Sequence, residues 1–405
     1  MAAEPLPATL SRIVELDLPG GPIPEPTLPD ERLREKRRGP AKPRDTPRRL
    51  TSLDAFRGLA ILGMLLVNNV ALDTATPAPL THAPWNGGVH FADLVYPWFL
   101  LIVGVAIPFS AAASRARGVP TWKYDLKILS RSVTLVLLGC LLESSQYKYP
   151  TFELGVLQQI GLAYLVGAML GELSALRRLM VAAGFLVSHW AAIRFIPIPG
   201  VGAGQFTENL NLINTWNQLY LQPVGLRGLT NVVPMSALVL IGTIVGTLLR
   251  AETMPRLRKV GFLLLAGAAL AGSGWLWNLD LPFNKSFWTA SFILYAAGWG
   301  TLVLGLFYLV VDVAGLRFLG FPLVVFGANA IMAYVAPILV KIDILQEWHW
   351  RMPDGSRLSL QDALLHYCVT HAGRIPGGWL YTGGFILFWC LVLLSMYIRK
   401  VFWRV

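Results

Sequence analysis

"FADLVYPWFLLIVGVAIPFSAAA" (residues 91–113) carries one charged residue, Asp93, followed by twenty uncharged ones. At 1.5 Å per residue a helix of this length crosses the ~30 Å hydrocarbon core of a bilayer. Comparable apolar runs recur at about 54–73, 128–144, 155–173, 179–196, 230–249, 260–278, 287–311, 318–340 and 378–398, which makes ten. Of the 405 residues, 55% are hydrophobic and 14% charged, against roughly a quarter charged in an average soluble domain. A soluble chain buries one or two such helices. The pattern therefore predicts an all-α, polytopic membrane protein with about ten transmembrane helices.

Residues 1–50 differ in kind. They hold ten of the 27 prolines and the mixed-charge run "DERLREKRRGPAKPRDTPRR", a composition that builds no core and predicts a disordered basic segment. No apolar h-region is present in it, so it is not read as a cleaved signal peptide. The transmembrane domain is expected over 51–405. With the amino terminus inside, the cytoplasmic connections collect fifteen Lys and Arg, and the segment 1–50 adds ten; the opposite side receives eight. That bias places both termini in the cytoplasm. It also accounts for much of the net charge of +11 without invoking nucleic acid. Cys140, Cys368 and Cys390 show no motif spacing, and a disulfide framework is not expected.

This topology puts "TSLDAFRGLAILGMLLVNN" (51–69) at the cytoplasmic entry and "THAPWNG" (81–87) at the outer surface. Ser52 suits an N-cap and Asp54 the first turn. Arg57 is three residues beyond Asp54 and can face it, or it can extend to the lipid headgroups. Asn68 lies eleven residues further, on nearly the same face, where an asparagine is commonly interhelical glue. Asp93 is harder to explain that way, because an ionisable side chain in an apolar zone serves a pair, a cavity or a reaction. His82 and Trp85 alone would pass as interface packing.

Taken in order, "LDAFRGLAILGMLLVNN", "HAPWNG" and "ADLVYPWFLLIVGVAIPFS" resemble the catalytic region of the heparan-α-glucosaminide N-acetyltransferase family, within a wider group of transmembrane acyltransferases. The likeness continues in "GVLQQIGLAYLVG" (155–167), "LPFNKSFWTASFILYAAG" (281–298) and "FGANAIMAYV" (326–335). The resemblance implies that acetyl-CoA from the cytoplasm acetylates the amine of a terminal glucosamine across the membrane. It implies His82 as the active histidine and Asn68 as the first-helix asparagine, and it suggests a homodimer.

The residues fit that chemistry. Acyl transfer to an amine needs a base and donors for the developing oxyanion. His82 is the candidate base, with Asp93 to orient it and Asn68 and Asn86 to donate to the thioester carbonyl. His82 could instead form an acetyl-imidazole; direct transfer is favoured because it exposes no labile intermediate. Arg57 is the candidate contact for the CoA phosphates. Trp85, Asn284, Lys285 and Asn329 are candidate sugar contacts, the last three from family-like blocks without a role readable from spacing. His90, outside the likeness, is expected to be an ordinary interface residue. No metal site is expected, since His366 and His371 are five apart and diverge on a helix.

Two departures matter. The family commonly reads "GVLQR" where Gln159 stands here, so an anionic contact is in doubt. The glycan-facing domain ahead of the helices in animal members is not seen. The expected acceptor is accordingly a cell-wall or chitin-derived amino sugar, reached from a bacterial inner membrane. The alternative is a permease for N-acetylglucosamine or chitin oligosaccharides, using the same polar residues without chemistry.

Overall fold

A computed structural model describes residues 50–403 other than 86, 353, 354 and 356. The expected basic segment 1–50 therefore lies outside the described residues except for Leu50. Twelve helices of eight residues or more organise the described chain: α1 (Thr51–Val67), α2 (Phe91–Ala116), α3 (Thr121–Tyr147), α4 (Val156–Met169), α5 (Ala175–Phe195), α6 (Val232–Arg250), α7 (Arg256–Trp277), α8 (Ala290–Phe307), α9 (Arg317–Ala328), α10 (Ala330–Val340), α11 (Leu360–Ala372) and α12 (Arg374–Ile398). Among the described residues the strands are a single antiparallel pair, His349–Arg351 with Arg357–Ser359, that leads into α11.

Among these residues six helices are long and apolar enough to cross a membrane: Phe91–Ala116, Ala175–Phe195, Leu229–Arg250, Arg256–Trp277, Ala290–Val313 and Arg374–Ile398. A seventh span arises if α9 and its continuation Ala330–Leu345, bent by 63°, count as one. The remaining three runs read from the sequence are helical but fail that test. Helix α1 has 17 residues and α4 has 14. Both are largely buried against neighbours, and a helix enclosed by protein need not match the bilayer by itself. Helix α3 begins at Thr121, seven residues before the apolar run, and takes Lys123, Asp125, Lys127 and Arg131 into its opening turns.

The core forms where backbones approach closely. Leu100, Leu101 and Ile102 of α2 are fully buried, and the "GTIVG" of α6 (242–246) lies against the same helix. A Cβ on Gly242 or Gly246 would run into the carbonyls of Leu101 or Val105, so this pair packs as small-residue membrane helices do. Helix α9 crosses the start of α1 in the same way, with Gly58 against the Leu323 carbonyl and Gly327 against that of Asp54.

The basic and polar connections sort to the two ends of the bundle. At one end Arg115 pairs with Glu172 at 2.6 Å, and Ser52 N–H donates to Asp312 at 3.1 Å. There Arg57 also reaches the Gly327 carbonyl at 3.5 Å, and Asn329 holds both Val401 and Trp403. The beginning and the end of the described chain thus share one end. At the other, Lys341 donates to the Asn68 carbonyl at 2.9 Å and Lys148 pairs with Asp343 at 2.9 Å.

Candidate functional site

Asp93 is the third residue of α2, where a carboxylate satisfies otherwise orphaned amides. Its Oδ2 accepts from the backbone N–H of His90 at 3.0 Å and of Ala83 at 3.1 Å. Its Oδ1 lies 2.9 Å from Nδ1 of His82. A carboxylate can only accept, so the Nδ1 proton points at Asp93, which in the neutral imidazole leaves the lone pair on Nε2. Asp93 is 5% exposed, whereas the His82 side chain is 56% exposed: the carboxylate is a buried anchor and the imidazole faces open space. His90 is more than an interface residue. Its Nδ1 bonds the Thr81 carbonyl at 3.0 Å, closing the loop that carries His82 onto the start of α2.

Lys285 comes from the connection between α7 and α8. Asn284 folds that connection by accepting from Phe287 N–H at 3.0 Å, while Thr289 Oγ1 accepts from Asn284 N–H at 3.0 Å. Lys285 Nζ then stands 3.2 Å and 3.3 Å from the two ring nitrogens of His82 and 3.9 Å from Asp93 Oδ1. Burial pulls the Lys285 ammonium below the ordinary lysine pKa, and the Asp93 charge opposes that shift.

These groups face a cavity of about 550 Å³ lined by Asn68, His82, Trp85, Asp93, Asn284 and Lys285. Six residues singled out in the sequence therefore meet at one place. Trp85 is fixed by Phe206 at 5.2 Å and Phe287 at 5.9 Å between ring centroids, which brings the connection after α5, with cavity-lining Glu208, to the edge of the cavity. Gln159, Glu208, Asn231, Tyr96 and Tyr334 also line it. Of these the sequence pointed only to Gln159, whose amide is occupied with the Leu154 carbonyl at 2.8 Å.

Two candidates lie elsewhere. Asn329 occupies the break between α9 and α10, where Nδ2 donates to the Val401 carbonyl at 3.0 Å and Oδ1 accepts from Trp403 N–H at 2.9 Å. It ties down the chain end and does not line the cavity. Arg57 pairs with Asp54 at 3.1 Å, as their spacing predicted, with 23% of its side chain exposed. Its position is at the far end of α1 from the cavity. Asn86 lies outside the described residues.

Residues 49–276 match the family model described as heparan-alpha-glucosaminide N-acetyltransferase, catalytic. This chain belongs to that family. The heparan-alpha-glucosaminide N-acetyltransferase of Homo sapiens is 25% identical over 430 residues, covering 89% of this chain and 60% of that protein. The Mus musculus protein of the same name is 25% identical over 443 residues, covering 90% and 62%. The chain thus spans about three fifths of the length of these curated relatives. Arg57, Asn68, His82, Asp93 and Gln159 fall within the N-acetyltransferase family match, whereas Lys285 lies beyond it and joins the site through tertiary structure. An imidazole backed by a carboxylate can take up a proton, and a neighbouring ammonium can stabilise an oxyanion.

Proposed function

We propose that this protein transfers the acetyl group of cytoplasmic acetyl-CoA to the amino group of a glucosamine-type sugar on the outer side of the membrane. The observation that carries it is the His82–Asp93 pair, 2.9 Å apart and beside Lys285, at the wall of a polar cavity. In the step this geometry supports, the sugar nitrogen attacks the thioester carbonyl and Nε2 of His82 takes its proton. The oxyanion is held by the Lys285 ammonium and the Asn68 amide. Collapse forms the amide and breaks the C–S bond, and the His82 imidazolium returns its proton to the departing CoA thiolate. Asp93 keeps the imidazole in the useful tautomer and balances the charge it gains. Trp85, at the lip, offers a face for the sugar ring, and Asn284 a polar edge; the role for Asn86 stays with the thioester carbonyl.

Arg57, at the opposite end of α1, is assigned to the CoA phosphates, with Asp54 holding it in place. Ten crossings, both termini in the cytoplasm, residence in a bacterial inner membrane and a homodimeric state belong to the same proposal. They rest on the charge bias and on the family likeness. The acceptor most consistent with a cavity in which Gln159 stands where an arginine is common is a sugar without an acidic group. The test is release of CoA thiol from acetyl-CoA by the purified protein on addition of glucosamine. Sugar binding or transport without thiol release would mean a permease instead.

A further inference from the structure

We infer that Arg131 grips the pantetheine arm of the acetyl donor where that arm passes through the bundle; this rests on the acetyl-transfer function proposed above. Arg131, in α3, is half-buried, with its guanidinium 4.9 Å from the ring centroid of Tyr164. Its Nε is buried and has no hydrogen-bond partner. No carboxylate pairs with it among the described residues. Tyr164 also shares a side-chain hydrogen bond with the guanidinium, so the donor left over for a ligand is the buried Nε, on a charge that is costly to keep without a carboxylate.

The cavity is there. Arg131 lines a narrow apolar slot of about 30 Å³ together with Met64, Phe99, Val156, Ala330 and Tyr334. Met64, Val156 and Tyr334 are also walls of the large cavity that holds His82. At its other side Ala330 opens α10, three residues after Gly327, whose carbonyl meets Arg57. The slot therefore stands between the His82 cavity and the end of the bundle assigned to the CoA phosphates. A donor whose thioester reaches His82 from that end must thread its arm along this line. The arm is an aliphatic chain interrupted by secondary amides, which calls for apolar walls and a donor for the amide carbonyls. A guanidinium offers five N–H donors and no acceptor.

Depth favours an amide over the pyrophosphate. Tyr164, under the guanidinium, is five residues along α4 from cavity-lining Gln159, ~7.5 Å at 1.5 Å per residue. That is the reach of the amides, several bonds short of the pyrophosphate. The slot holds about one water as it stands, so it must widen for the arm. Tyr334, which borders this slot, the His82 cavity and a further cavity of about 350 Å³ lined by Asn68 and Lys341, is the side chain placed to move.

The experiment uses the full chain in detergent with glucosamine as acceptor and either acetyl-CoA or acetyl-pantetheine as donor. Arg131→Met should raise KM for both donors by on the order of tenfold or more, as loss of a charge-assisted hydrogen bond does. KM for glucosamine and the ligand-free melting temperature should stay unchanged, and Arg131→Lys should recover part of the loss. Arg57→Ala, by contrast, should affect acetyl-CoA alone. Unchanged donor KM in a folded Arg131→Met protein would overturn the inference, as would a loss confined to acetyl-CoA, which would place Arg131 on the nucleotide. Absence of transfer by the unsubstituted protein would instead overturn the proposed function itself.

Discussion

Nζ of Lys285 stands 3.2 Å from Nδ1 and 3.3 Å from Nε2 of His82, across 203 residues of sequence. The ammonium is also 3.9 Å from Asp93, so three ionisable side chains share one corner of the cavity. An ammonium so placed can neutralise an oxyanion forming next to the imidazole.

That role gives activity a definite response to pH. The ammonium is lost as pH rises through the Lys285 pKa, and burial places this below the ordinary lysine value of ~10.4. The rate should therefore fall on the alkaline side earlier than an exposed lysine would allow. Lys285→Arg, which stays charged, should move that limb upward while retaining part of the activity. Lys285→Met should lower kcat by ~10²–10³-fold, the usual loss of an oxyanion donor. An alkaline limb unmoved by Lys285→Arg, measured as kcat against pH, would remove the ammonium from the reaction.

Asp93→Asn should cost ~10²–10⁴-fold in kcat, because the imidazole then loses the acceptor that fixes its tautomer. The acetyl-CoA KM should hold. His90→Ala should also reduce activity, by a smaller factor, since His90 fastens the loop to the Thr81 carbonyl at 3.0 Å. Steady-state kinetics on folded variants checks both, and full activity in Asp93→Asn would contradict the assigned role.

Much of the candidate site was legible because its parts sit on local signals. The Asp54–Arg57 pair follows from a three-residue helical spacing, and Asp93 is placed by its position in the first turn of α2. Lys285 could be named but not interpreted, since its partner lies in a distant part of the chain and only the fold brings them together. Asn329 misled for the opposite reason. An asparagine in a family-like block suggested substrate, whereas the α9–α10 break leaves backbone groups that Asn329 satisfies at the chain end. All ten apolar runs are helical, but among the described residues only six of them, or seven with the bent pair, are long and apolar enough to cross by themselves, because apolar runs do not distinguish a lipid-facing span from a short helix such as α4 wrapped in protein. The inward position of Arg131 was likewise hidden, since its neighbour Tyr164 is on another helix.

The α1–α9 crossing should be intolerant of any side chain at its glycines. Gly327→Ala pushes a methyl group into the Asp54 carbonyl and should destabilise the protein by ~1–3 kcal/mol, the cost of overpacking a tight contact. It should weaken acetyl-CoA binding as well, because Arg57 is held by Asp54 and the Gly327 carbonyl. Thermal melts with and without acetyl-CoA report both effects; a wild-type melting temperature would show that the crossing can relax.

Sidedness is open to direct labelling. In a cysteine-free background, Pro84→Cys should react with an impermeant thiol reagent in intact cells, and Arg117→Cys only after permeabilisation. Both positions are exposed in the structure. The reverse pattern would invert the orientation on which the entry of cytoplasmic acetyl-CoA depends.

Sugar-dependent release of CoA thiol, compared between the unsubstituted protein and His82→Ala, bears most directly on the whole mechanism. The unsubstituted protein should acetylate glucosamine, confirmed by the mass of the product. His82→Ala should lose ~10²–10⁴-fold in rate while acetyl-CoA still raises its melting temperature, since ligand binding to the native state alone stabilises it. Equal thiol release from the two proteins, or none from either, would contradict acetyl transfer at His82.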